Sequence, residues 1–169
     1  MKDKQFLLKL HLALVIFVFL SQASASSWFG VRSGYPLNIT AHFGFENVLF
    51  TGIGLRVSAN LSQRQAFLNY IDNNSSSTSF GFGADALLPI IKQNPVLIYL
   101  GVGSTVSFAA AKTLTDIHGL AGLEYRPDVA ILNQLGIFTE ASAAIGAINL
   151  TEKSFQSLSW SIGVNWHLP

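Results

Sequence analysis

The stretch Leu158-Ser159-Trp160-Ser161-Ile162-Gly163-Val164-Asn165-Trp166-His167-Leu168 alternates large apolar residues with small or polar ones. A period of two sends the two sets to opposite faces of a β-strand. Its apolar face is too rich, and its polar face too poor in charge, for a sheet with one side in water. The same pattern recurs throughout the chain after residue 26.

Working backward and forward from this stretch, eight segments carry the alternation: Trp28–Gly34, Leu37–Phe45, Phe50–Asn60, Thr78–Leu88, Val96–Phe108, Asp116–Arg126, Gln134–Ala144 and Gln156–Leu168. Most are about 9–13 residues, the length of a strand tilted across a bilayer. Pro95 precedes the fifth segment, where a missing N–H is tolerated. A tight Tyr35-Pro36 turn joins the first two segments. The link after the third, residues 61–77, is long and holds the polar run Asn73-Asn74-Ser75-Ser76-Ser77. Links after the fifth (Ala109–Thr115) and seventh (Ile145–Phe155) are intermediate, and those after even-numbered segments are short. With both chain ends in the periplasm, the long link faces outward, the usual asymmetry of outer-membrane barrels.

Splitting the segments by parity gives an apolar list and a small-polar list. Phe29, Val31, Ile39, Val57, Phe82, Leu100, Val102, Ile117, Ile137, Trp160 and Val164 typify the first. Glycines, serines and six charges fill the second: Arg32, Arg56, Arg126, Asp85, Glu124 and Glu140. A soluble lipocalin-like barrel would turn the apolar list inward, and a membrane barrel would turn it outward. The second list lacks the many Lys and Glu of a wetted surface, and the first is too bulky for the inside of eight strands. The apolar list is therefore expected to meet lipid. The six balanced charges are expected to pair across the lumen, because an unpaired buried arginine is costly. Such a network would plug the barrel. Trp28, Phe45, Tyr125 and Trp166 are expected at the periplasmic interface, where amphipathic rings concentrate.

Composition agrees with this reading. Charged residues are 11% of the chain and hydrophobic residues 50%, against about 25% charged in ordinary soluble domains. No later segment approaches 18 consecutive apolar residues, which excludes a helical span and leaves a barrel. Residues 1–25 read as a cleaved secretory signal. Lys2, Lys4 and Lys9 precede the apolar run Leu10–Leu20, and Ala23-Ser24-Ala25 is a small-x-small cleavage site. Residues 26–169 then form one domain, with seven Lys+Arg against eight Asp+Glu. That balance gives no basic field for nucleic acid. The absence of cysteine excludes disulfides and thiolate metal sites.

From Trp28 to Leu168 the chain resembles the small outer-membrane barrels of the OmpA-type transmembrane domain and, more loosely, porin-like small outer-membrane proteins. Eight strands, the stretch Gly122-Leu123-Glu124-Tyr125-Arg126 and the closing strand quoted above carry the resemblance. It implies an outer-membrane location and insertion by the barrel assembly machinery. In that family the machinery reads a terminal aromatic; here Trp166 keeps the alternation and Leu168-Pro169 follows.

Some small outer-membrane barrels modify lipids, and a Ser–His–Asp set could act as nucleophile, base and orienter. Asp116 and His118 share one face, with Ser107 on the preceding segment, but parity points them into the lumen, and polar rim residues are the expectation. His42 and His167 lie near the periplasmic end without a nearby carboxylate, so no metal and no cofactor are expected. The expected fold is an all-β, eight-stranded, antiparallel up-and-down transmembrane barrel. The expected role is non-enzymatic, structural or surface-interacting, with residues 61–77 offered to an extracellular partner. A narrow pore for small solutes is the alternative, and a lipid-modifying enzyme the third reading.

Overall fold

The computed structural model describes residues 26–35, 37–48, 52–63, 78–109, 112–129, 132–149 and 153–168. The expected signal segment, Pro36 of the first turn and most of the 61–77 link lie outside the described residues. Eight strands follow in chain order: β1 (Ser27–Tyr35), β2 (Asn38–Val48), β3 (Ile53–Gln63), β4 (Thr78–Gln93), β5 (Val96–Ala109), β6 (Lys112–Tyr125), β7 (Leu135–Ile148) and β8 (Lys153–His167). Each pairs antiparallel with the next, and β8 pairs with β1, so the sheet closes on itself. Closure removes both sheet edges and gives each strand a ladder partner on either side.

Parity assigns the two faces as expected. Val102 (64% exposed), Ile117 (71%) and Leu158 (79%) point outward with Phe29, Ile39, Val57, Phe82, Ile137 and Trp160. Among the described strand residues in register with these outward positions, none is Asp, Glu, Lys, Arg or His. A water-facing sheet does not keep such a face free of charge.

Trp28 departs from the expected interfacial girdle. It has the parity opposite to Phe29, is only 5% exposed, and packs inside the barrel with Leu87, Tyr99, Leu120 and Leu97. Strand parity overrode the usual preference of tryptophan for an interface. A second apolar cluster of Leu114, Ile148 and Phe155 lies inside the barrel near the ends of β6, β7 and β8.

Segment lengths also differ from expectation. β4 continues past Leu88 to Gln93 because a register shift between Pro89 and Ile91 absorbs the loss of alternation in Leu87-Leu88-Pro89-Ile90-Ile91. β6 starts at Lys112 and β7 runs to Ile148, so the links expected to be intermediate shrink to residues 110–111 and 149–152. The link after β6, residues 126–134, is longer than expected. One end of the barrel, the terminal end, carries both termini of the β1–β8 pair and the links after β2, β4 and β6. The other, the loop end, carries the long link 64–77.

Two backbone positions explain particular glycines. Gly122 lies beneath the ring of Tyr99, which a Cβ there would strike. Gly52, in the turn after β2, has φ of 77° and donates its N–H to Asn47 Oδ1 at 2.9 Å. Gly52→Ala is expected to cost about 1–2 kcal/mol, the left-handed penalty of an L-residue, and urea titration of the refolded protein would measure it. A midpoint equal to wild type would mean that the turn adopts another conformation.

Candidate functional site

The inward parity of all eight strands brings polar side chains into a lumen whose remaining lining is glycine, serine and the two apolar clusters. Two layers form. In the middle one, Arg56 on β3 donates through Nε to Asp85 Oδ2 at 2.7 Å and through Nη1 to Glu140 Oε1 at 2.5 Å. Its Nη2 reaches Glu140 Oε2 at 3.3 Å. Arg32 on β1 pairs with Glu140 Oε2, and the Tyr99 hydroxyl on β5 donates to Glu140 Oε1 at 2.7 Å. On the far side of Asp85, His118 Nε2 lies 2.8 Å from Asp85 Oδ1, and its Nδ1 lies 3.0 Å from Asp116 Oδ1. The chain Arg32–Glu140–Arg56–Asp85–His118–Asp116 thus crosses the lumen, fed by β1, β3, β4, β6 and β7. Arg56, Asp85 and Glu140 are all buried. Ions in such a place hold together only if each is paired and hydrogen-bonded, and here each is.

The second layer is nearer the terminal end. Glu124 accepts from Arg126 Nε at 2.9 Å and Asn165 Nδ2 at 3.0 Å, and its Oε1 lies 2.5 Å from His167 Nε2. Asn165 Oδ1 meets His42 Nε2 at 2.7 Å. Arg126 Nη2 and Lys92 Nζ both donate to Glu46, at 2.7 and 2.8 Å. This one carboxylate therefore ties the ends of β2, β4 and β6 together.

The six charges singled out in the sequence are divided between the layers. Arg32, Arg56, Asp85 and Glu140 are joined in the middle one, and Glu124 and Arg126 in the terminal one. The expectation of a single network missed the offset: Glu140 stands opposite Gly122, while Glu124 stands opposite Phe138. Tyr99, Asn165 and His118 share the inward parity, so alternation alone could have found them. Glu46 keeps the inward parity of His42 and Gly44 but lies one residue past the segment read from the sequence, whereas Lys92 escapes the rule because it lies beyond a register shift in β4. The sequence reading gave His42 and His167 no nearby carboxylate; His167 has two, Glu124 and, at 3.8 Å, Glu46. Among the described residues, no group of three or more His, Asp or Glu is arranged to hold a metal ion.

The Ser–His–Asp set does not assemble. His118 stands opposite Gly103 on β5, and Ser107 is four residues further along that strand, about 13 Å away at the usual rise. Ser107 Oγ is buried without a hydrogen-bond partner. The two carboxylates occupy both ring nitrogens of His118.

A cavity lies on each side of the middle layer. The loop-end cavity, about 150 Å³, is lined by hydroxyls and amides such as Thr40, Asn60, Ser62, Thr105, Ser142 and Ser157, with Arg32 and Glu140 also in its lining. The terminal-end cavity, about 370 Å³, is bounded by Arg56 and Tyr99 together with an apolar wall.

A closed eight-stranded antiparallel barrel is the architecture of the small outer-membrane barrels. Solved structures share it. The chain superimposes on Neisserial surface protein A with a TM-score of 0.53 and 15% identity, over 84% of this chain and 93% of that one. It superimposes on the N-terminal β-barrel domain of Pseudomonas aeruginosa OprF with a TM-score of 0.59 and 13% identity, over 87% of this chain and 98% of that one. At such identities the likeness is one of fold. No protein-family model matches the chain, and no curated protein matches it.

Proposed function

We propose that the protein is an exported outer-membrane barrel with a closed lumen, serving as a non-enzymatic structural or surface-interacting element of the envelope. The observation that carries this reading is the buried chain Arg32–Glu140–Arg56–Asp85, which spans a lumen that eight strands leave only wide enough for side chains. The uncharged exterior supports residence in lipid, because charged side chains on that face oppose insertion. Outer-membrane barrels keep short turns in the periplasm and longer loops outside, which supports a periplasmic terminal end. The segment 61–77, with the polar run Asn73–Ser77, would then be the part of the sequence offered to an extracellular partner. Export through residues 1–25 and insertion by the barrel assembly machinery belong to the same reading.

Recording from planar bilayers tests it. The refolded protein is expected to give no single-channel steps. The two cavities favour a second reading, a narrow pore for small solutes that conducts when the middle layer parts. Reproducible steps from homogeneous protein would replace the closed barrel with that pore.

A further inference from the structure

We propose that the terminal-end cavity binds small carboxylates with an apolar body. The body would lie against Trp28, Leu87, Leu97 and Tyr99, with the carboxylate at Lys92 and Arg126. This goes beyond the closed-barrel reading, and it holds whether or not the lumen conducts, because the cavity lies on the terminal side of the Arg56–Glu140 layer.

Size and lining are the first grounds. At about 370 Å³ the space falls within the ~300–1,000 Å³ usual for small-molecule sites, which are mainly apolar with a few convergent polar groups. An indole from β1 meets a phenol and two leucines from the facing β4 and β5 at this level of the lumen, in contrast with the hydroxyl-lined cavity at the loop end. Leu97 and Tyr99 are two residues apart on β5, opposite Glu124 and Gly122. The wall therefore extends roughly 7–10 Å along the barrel, the reach of a chain of about six to eight carbons or of one aromatic ring system.

Charge selects the head group. Deep in the cavity Arg56 is held by Asp85 and Glu140, and Glu124 meets Arg126, Asn165 and His167. The mouth differs. Lys92 has a side chain 64% exposed, and it shares Glu46 with Arg126. An exposed pair of this kind contributes little stability, so an incoming carboxylate can take the place of Glu46 on Lys92 while its tail removes apolar wall from water. A cationic head would find less, since the one carboxylate at the mouth, Glu46, is only 17% exposed and holds both Lys92 and Arg126, whereas Lys92 presents an exposed ammonium.

The test uses the full chain refolded in detergent, with Trp160→Phe and Trp166→Phe to leave Trp28 as the sole indole. Octanoate is expected to change Trp28 emission saturably, and 1-octanol, which lacks the carboxylate, to bind about tenfold more weakly. Gly54 lines the cavity, and a Cβ built there lies 3.3–3.6 Å from its neighbours. Gly54→Leu is therefore expected to fill the space and abolish the saturable change. Lys92→Ser, at an exposed position, is expected to weaken octanoate severalfold and leave octanol unchanged. If Gly54→Leu does not fold, the Lys92→Ser comparison decides. A linear response in folded protein, a response that survives Gly54→Leu, or equal binding of the two probes would overturn the proposal.

Discussion

Glu140→Ala is expected to destabilise the folded barrel by about 3–5 kcal/mol, the usual loss when one member of a buried ion pair is removed. The reason is not the missing methylenes but what they leave behind. Arg56 loses the acceptor of two hydrogen bonds, Arg32 its paired carboxylate and Tyr99 the acceptor for its hydroxyl. Arg56 keeps only Asp85. Glu140→Gln retains one acceptor oxygen and should lose less. Lys92→Ala, at an exposed pair, should lose less than about 1 kcal/mol. Urea titrations of the three variants, followed by heat-modifiable migration on gels, give the comparison. An unchanged midpoint for Glu140→Ala would mean that the middle layer does not hold the barrel together.

Val102→Arg acts from the opposite face. Val102 stands at the middle of β5, outward and 64% exposed, opposite Ala86 and Gly119. An arginine there would place its charge near the bilayer midplane, where barrels lose about 2–4 kcal/mol. The expected result is a smaller folded fraction in lipid vesicles and a lower urea midpoint, with Val102→Ala close to wild type. Folding of the arginine variant at the wild-type midpoint would show that this face does not meet hydrocarbon. The two variants test different statements: Glu140→Ala probes what fills the barrel, Val102→Arg what surrounds it.

Most of the fold was legible because a strand has only two faces. Once Trp160, Ile162 and Val164 are assigned outward, Ser161, Gly163 and Asn165 have nowhere to go but inward. The rule failed where alternation is interrupted. The run Leu87–Ile91 hides a bulge, so the continuation of β4 and the position of Lys92 were not readable. Glu46 continues the inward series His42, Gly44, but the segment read from the sequence stopped at Phe45, just before the register shift that begins there. Trp28 shows a different failure: side-chain preference suggested the interface, whereas its position in β1 required the lumen.

The candidate site was legible in content but not in arrangement. That Arg32, Arg56, Asp85, Glu124 and Glu140 face one another follows from parity and charge balance. Which carboxylate meets which arginine depends on the stagger between strands far apart in sequence, as with Arg32 and Glu140.

The chain's own order of residues determined two things: a closed sheet with grease outside, and ions matched in number within. Periodicity and composition are local properties, and each residue carries its share of them. Only the folded barrel decided that the ions form two layers with a cavity on either side of the middle one. It also brought Tyr99 and His118 into that layer and let Glu46 tie three strand ends. Those outcomes depend on strand stagger and bulge position, which are set when all eight strands close together.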